Sequence, residues 1–207
     1  MSGYRDRAHA GDVLAETLAA YRDREDVTVL GLVRGGVPVA ARVAQTLRVP
    51  LDVLVVRKLG VPWAPEVAFG ALGAGGVRVL NPDVAGRLDE REIAEVTAAE
   101  SAELARREER YRSGRPPLAL ADRIAILVDD GLATGATAHA AVAVVRGLGA
   151  ARVVMAAPVG APEAVARLAE VADEVICPLV PPSFGAVSRY YQHFGQVSTP
   201  EVVALLR

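Results

Sequence analysis

Five runs of the chain are almost uninterruptedly apolar and rich in β-branched residues: VTVLGLV (27–33), LDVLVV (51–56), RIAILV (123–128), ARVVMAAPV (151–159) and DEVICPLV (173–180). A strand with one wet face alternates apolar and polar residues. A strand covered on both faces need not, so these runs predict a parallel sheet buried between helix layers. The intervening stretches 37–47, 137–150 and 161–172 read as helices, with Pro38 and Pro162 in first turns, where proline is tolerated. Alternating βα units place the chain in the α/β class, with a Rossmann-like, mostly parallel sheet flanked by helices. At 207 residues it suits a single domain spanning 1–207.

Two regions and the C-terminus break the alternation. Residues 57–83 are rich in Gly and Pro, contain the one Trp, and are too long for a plain βα connection, so they predict a hairpin or flap over a site. Residues 88–112 read as a long exposed helix. Glu103 with Arg107 and Glu108 with Arg112 stand in the favourable acid-first i,i+4 order. Residues 181–207 hold the late aromatics Phe184, Tyr190, Tyr191 and Phe194 and predict a cap rather than another βα unit.

In open α/β sheets, ligands bind beyond the carboxyl ends of strands. Two such ends carry chemistry. The first strand runs into Arg34-Gly35-Gly36 and then at once into a helix. Glycines expose backbone N–H groups, the helix N-terminus adds positive partial charge, and Arg34 supplies a forked donor, a set suited to phosphate. The strand 123–128 runs into Asp129-Asp130 and then the small-residue turn Gly131 to Thr137. That turn also suits a phosphate, with hydroxyls from Thr134 and Thr137. It lacks the Gly-Lys-Ser/Thr of a P-loop, and the chain has no G-x-G-x-x-G dinucleotide fingerprint.

Two carboxylates beside an anion cradle look contradictory until their jobs are separated. A carboxylate accepts hydrogen bonds and so suits sugar hydroxyls, or Mg²⁺ directly or through water. The ligand this predicts carries a phosphate at one end and a polyol beside it. Arg57 and Lys58 stand at a third strand end and add positive charge. Lys58 is the one lysine among 23 Lys and Arg residues. A compact ammonium surviving where arginine has taken every other position suggests a functional place.

Composition sets the remaining bounds. A formal net charge of −2 gives no general attraction to nucleic acid or an anionic membrane, so any anion site is local. One cysteine, Cys177, rules out an internal disulfide framework and a Cys-rich zinc site. The polar start MSGYRDRAHAGDV lacks an apolar signal core, and no apolar run reaches spanning length, so a cytoplasmic protein without membrane contact is expected.

AILVDDGLATGAT (125–137) resembles the 5-phosphoribosyl 1-pyrophosphate (PRPP) motif of type I phosphoribosyltransferases, and LVRGGVPVA (32–40) resembles that family's pyrophosphate loop. With RKLGVPWAPEVAFGAL (57–72) and YYQHFGQVS (190–198), most of the chain is similar to a bacterial branch of predicted phosphoribosyltransferases. The resemblance implies that Asp129 and Asp130 bind the ribose hydroxyls, near or through Mg²⁺. It implies that Ala133, Thr134, Gly135, Ala136 and Thr137 bind the 5-phosphate. Arg34, Gly35, Arg57 and Lys58 would hold the pyrophosphate, in a loop whose peptide is often strained or cis. Residues 59–80 would form a mobile flap and the C-terminal segment a hood that selects the acceptor. The implied activity is phosphoribosyl transfer from PRPP to a nucleobase-like acceptor, with Lys58, Asp129, Asp130 and Arg34 as the catalytic set, in a homodimer. No dedicated general base stands out; Glu66 in the flap is a candidate by position only. His139 reads as a packing or surface residue, and His193 as a hood residue near the acceptor. The hood aromatics either stack a base or pack on one another. Two other readings stand beside this one: a PRPP- or nucleotide-sensing regulator without turnover, and a phosphatase using the acid pair.

Overall fold

The computed structural model of the chain describes residues 3–207; Met1 and Ser2, the start of the polar N-terminal stretch, lie outside it. In chain order the elements are α1 (Arg7–Thr17), β1 (Val27–Leu32), α2 (Gly36–Leu47), β2 (Leu51–Leu54), β3 (Arg57–Val61), β4 (Ala64–Gly73), β5 (Val77–Leu80) and α3 (Pro82–Ala85). Then come α4 (Glu90–Arg112), β6 (Ile124–Val128), α5 (Ala136–Gly147), β7 (Arg152–Ala156), α6 (Pro162–Ala169), β8 (Glu174–Ile176) and α7 (Thr199–Leu205). All five apolar runs form strands, and together they make one parallel sheet in the order β2-β1-β6-β7-β8.

The near-continuous apolarity has the predicted cause. Along each central strand, successive residues feed opposite cores. Leu30, Leu32, Ala125, Leu127, Val153 and Met155 join one cluster with Ala141, Val142 and Val145 of α5 and Leu168 of α6. Val27, Val29, Ile124, Ile126, Val154 and Ala156 join the other with Leu14 of α1 and Val39, Val43 and Leu47 of α2. α2 and α5 thus cover opposite faces. The strand order reverses between β1 and β6, which pair in parallel with Gly31 opposite Val128. Where helices leave adjacent strands for opposite faces, a crevice opens at the strands' carboxyl ends.

The flap region is a separate antiparallel sheet, β3-β4-β5, laid against α4 and α5. Ala74–Gly76 makes the short turn between β4 and β5. Beneath it a third core joins Leu59, Phe69 and Leu72 to Leu104 and Tyr111 of α4 and Val202 of α7. α4 starts with a capping box: Asp89 Oδ1 accepts the Glu92 N–H at 2.8 Å and Glu92 Oε2 accepts the Asp89 N–H at 2.9 Å. The expected Glu103–Arg107 pair forms at 2.7 Å. The expected Glu108–Arg112 pair does not. Arg112 turns inward and grips Asp52 of β2 through two nitrogens at 3.0 and 2.9 Å, a bidentate contact with a carboxylate at the sheet edge.

Residues 181–207 form no further βα unit, as expected. One feature lies outside the sequence reading. The N-terminal segment joins the cap: the Tyr4 N–H donates to the Tyr190 carbonyl at 2.7 Å, and the Gln192 N–H donates to the Tyr4 carbonyl at 2.9 Å. α1 follows directly and carries its buried face on Ala10, Leu14 and Ala15. Among the described residues, no helix is long and apolar enough to cross a membrane.

Asp52 and Arg112 are 13% and 8% exposed, and Arg115 lies 3.5 Å from the same carboxylate. Arg112→Met should therefore destabilise by about 3 kcal/mol, the low end for breaking a buried pair, since Arg115 remains as partner. Urea unfolding measures this. A loss below about 0.5 kcal/mol would mean that the pair does not tie α4 to the sheet.

Candidate active site at the strand reversal

β1 and β6 deliver their loops side by side. After β1 the Val33–Arg34 peptide is cis, and Gly35 and Gly36 open α2. After β6 come Asp129 and Asp130. A Cβ on Gly35 would run into the Asp130 carboxylate, and one on Gly36 would strike the Val128 carbonyl and stand 2.8 Å from Asp129 Cα. The two loops touch because neither glycine has a side chain. The anion loop and the acid pair, separate in sequence, form one surface.

The acids differ in environment. Asp129 Oδ1 accepts the Asp130 N–H at 2.9 Å. Desolvation, with the Asp130 charge beside it, pushes the Asp129 carboxyl well above the usual carboxylate range; the Arg7 charge opposes this only in part. Asp130 is held from two sides. Arg7 Nε donates to its Oδ2 at 2.8 Å, and Tyr191 Oη donates to its backbone carbonyl at 2.6 Å. Burial raises the Tyr191 phenol far above its ordinary range, so it stays a donor. A cavity of about 550 Å³ opens here, lined by Arg7, Arg34, Gly35, Asp130, Phe194 and Gln196 among others.

The small-residue turn follows. Gly135 caps α5 with φ of +71°, a conformation that L side chains rarely adopt, and the helix begins at Ala136. Ala133, Thr134 and Thr137 are exposed, and the Ala136 N–H donates to Thr134 Oγ1 at 3.3 Å. Arg167 of α6 donates to the Thr134 carbonyl at 2.9 Å and brings a second charge to the turn. A second cavity of about 490 Å³ lies between this turn, α6 and the flap sheet, lined by Lys58, Glu66, Thr134, His139, Arg167 and several small apolar residues.

The lone lysine therefore sits with the Ala133 to Thr137 turn, in a different cavity from Arg34 and Gly35. Arg57 departs further from its expected place. Successive residues of a strand face opposite ways, so Arg57 turns from Lys58 toward α4, where its Nε donates to Glu100 at 2.6 Å. Adjacent basic residues at a strand end do not act together when the strand continues through them. Glu66 shares the cavity with Lys58, and His139 is exposed on its wall rather than packed. His193 is exposed and lines neither cavity.

The cap aromatics cover one another. Phe184 stacks on Tyr190 with ring centroids 5.4 Å apart, and Tyr191 lies between Tyr4 at 5.6 Å and Phe194 at 5.0 Å. The Arg7 guanidinium stands 3.9 Å over the Phe194 ring. Of the two roles open to these rings, packing is the one this structure displays. Arg7 and Arg167 escaped sequence reading because nothing local ties them to the motif. The signal for α1 was present: Asp6 as N-cap and apolar residues at 10, 14 and 18.

Among the described residues, no group of three or more His, Cys, Asp or Glu could hold a metal. Asp129 and Asp130 alone cannot complete a coordination shell. They fit an ion such as Mg²⁺ that keeps waters and shares its remaining positions with ligand phosphates.

A model of the phosphoribosyl transferase domain matches residues 6–192. Curated proteins from Mycobacterium tuberculosis strains CDC 1551 and H37Rv, provisionally named phosphoribosyl transferases, are 53% identical to the chain over 208 residues. The alignment covers 100% of this chain and 47% of theirs, so the chain spans about half the length of these relatives. The crystal structure of TT1426 from Thermus thermophilus matches with a TM-score of 0.93 and 48% identity, covering 100% of this chain and 98% of that one.

The raised Asp129 carboxyl has a measurable consequence. The folded state holds that proton more tightly than the unfolded chain, so stability is fully present below the ordinary carboxylate pKa and is lost as pH rises through the folded value. Asp129→Asn copies the neutral form and keeps the acceptor for the Asp130 N–H. Its melting temperature should exceed the wild type's at pH 8, with the gap closing toward pH 4. Equal melting temperatures at pH 8 would contradict the assignment.

Proposed function

Because the chain belongs to the phosphoribosyl transferase family, we propose that it transfers a phosphoribosyl group from PRPP to a nucleobase-like acceptor and releases pyrophosphate. One observation carries this reading: Gly35 of the anion loop abuts the Asp130 carboxylate, beside a cavity lined by both. A ligand there meets a pyrophosphate-type cradle and hydroxyl acceptors within one crevice. The turn Ala133 to Thr137 continues directly from the acids, which suits a sugar with a phosphate at its other end.

In this reading C1 of the ribose gains oxocarbenium character as its bond to pyrophosphate lengthens. Arg34 and the N–H groups at Gly35 and Gly36 meet the charge that develops on the leaving group. Asp130 orients the ribose through its hydroxyls and keeps a negative charge near the cationic sugar. The Ala133 to Thr137 N–H groups and hydroxyls, with Arg167 behind them, fix the 5-phosphate, so that remote binding holds C1 in place. Lys58, carried on the first flap strand, adds an ammonium to the phosphate side, and the flap sheet screens the reacting carbon from water. Mg²⁺ held by Asp129 and Asp130 would neutralise phosphate charge when bound.

The test is pyrophosphate release from labelled PRPP with a panel of nucleobases. Release that depends on one acceptor supports transfer. Tight PRPP binding without acceptor-dependent release would replace the enzyme with a sensor. Release of phosphate from simple monoesters would favour a phosphatase. The Lys58 side chain is exposed and makes no hydrogen bond or ion pair among the described residues. Lys58→Ala should therefore lower kcat/KM at least tenfold, about 1.4 kcal/mol of transition-state binding, with an unchanged melting temperature. Unchanged kinetics would remove the lysine from the site.

A further inference from the structure

Arg7 reaches the crevice from the far end of the chain and takes no part in the chemistry above. Its Nε donates to Asp130 Oδ2 at 2.8 Å, its Nη1 donates to the Gly195 carbonyl at 2.7 Å, and its guanidinium lies 3.9 Å over the Phe194 ring. The two side chains of the ion pair are 12% and 14% exposed. Asp130 Oδ2 also packs against Gly35, where no Cβ stands in its way. That oxygen is therefore occupied on two sides. No N–H of the described residues reaches Oδ1, which leaves it to a ligand hydroxyl.

The pair is not needed to dock α1. Gly11 lets α1 press closely on α2, since a Cβ there would strike the Val39 carbonyl and Arg42. Arg42 Nε donates to Asp12 at 2.7 Å, and Leu14 is fully buried. Tyr4 already joins the preceding segment to the cap. A buried ion pair is weak evidence for stability, because desolvating two charges offsets much of their attraction. What this pair supplies is geometry. The outer torsion of an aspartate is broad and two-fold, so an unanchored carboxylate turns and exchanges its oxygens. Arg7 is carried by a helix clamped to α2, whose first turn is the anion loop, so the anchor is fixed relative to that loop.

We propose that Arg7 is a positioning residue: it locks the Asp130 carboxylate so that Oδ1 is the oxygen left for the ribose, and the cap locks Arg7 in turn through Gly195 and Phe194. Its effect on the ligand passes through Asp130. A ribose hydroxyl then meets an acceptor that is already ordered, and binding does not bear the cost of ordering it. Because the carbonyl and the ring that hold Arg7 belong to the cap, the cap sets the geometry of the ribose acid as well as lining the cavity beside it.

The proposal rests on the reading that Asp130 takes the ribose and the Ala133 to Thr137 turn takes the phosphate. Calorimetric titration of the full chain with ribose 5-phosphate and with inorganic phosphate separates the two, since only the first ligand reaches the acid. The wild type should bind ribose 5-phosphate more tightly than phosphate. Arg7→Gln should weaken ribose 5-phosphate about tenfold, the scale of one charge-assisted hydrogen bond, and leave phosphate binding unchanged, which also shows that the variant is folded. Phe194→Leu removes the ring and keeps both charges. It should act in the same direction, and adding it to Arg7→Gln should cost nothing further, because both act through one contact. A purely structural role weakens both ligands together. Equal weakening of the two ligands in Arg7→Gln, unchanged or tighter ribose 5-phosphate binding, or additive losses in the double variant overturns the positioning role and leaves the ribose site standing. A wild type that binds ribose 5-phosphate no better than phosphate overturns the ribose site itself.

Discussion

The close approach of Gly35 and Gly36 to Asp129 and Asp130 is the constraint on which the rest of the crevice depends. It exists because β1 and β6 are neighbours whose helices leave for opposite faces, and because both glycines lack a Cβ. Backbone N–H groups and carboxylates would otherwise be kept apart by side chains. Held together, they offer adjoining donors and acceptors to a ligand that has both kinds of partner. The parallel sheet and its two cores hold this junction still: every residue of β1 and β6 is buried, on one face or the other.

The electrostatics follow from that junction. Two carboxylates side by side, one of them desolvated, cannot both hold full charge cheaply, and the raised Asp129 carboxyl is the result. Asp130 pairs with Arg7, which is in turn fixed by the cap through Gly195 and Phe194. Tyr191 binds the Asp130 carbonyl from the same cap. The N-terminal helix, the acid pair and the C-terminal cap are therefore one coupled unit, while the flap sheet and Arg167 border the Ala133 to Thr137 turn on the other side.

Much of this was legible in the sequence. The five strands, the three main helices and the switch from βα units to an antiparallel flap followed from apolar patterning, because burial on both sheet faces leaves a plain signature. The acid pair, the turn and the Arg-Gly-Gly loop were legible because their residue types have few other uses at strand ends. What failed to read were contacts between distant residues. Arg57 and Lys58 looked like a pair until strand geometry sent them to opposite faces. Arg112 looked like a helix-surface partner of Glu108 until Asp52 claimed it. Arg7 lies 123 residues from the carboxylate it meets, and no local pattern marks it.

A crystal structure with ribose 5-phosphate bound is the most direct test of the central claim, that acids and turn are adjoining subsites for one phosphorylated ribose. The account predicts the phosphate on the N–H groups and hydroxyls of Ala133 to Thr137, with ribose hydroxyls within about 3 Å of Asp130. A phosphate elsewhere, or a ribose turned from the acids with its hydroxyls unbound, would contradict it.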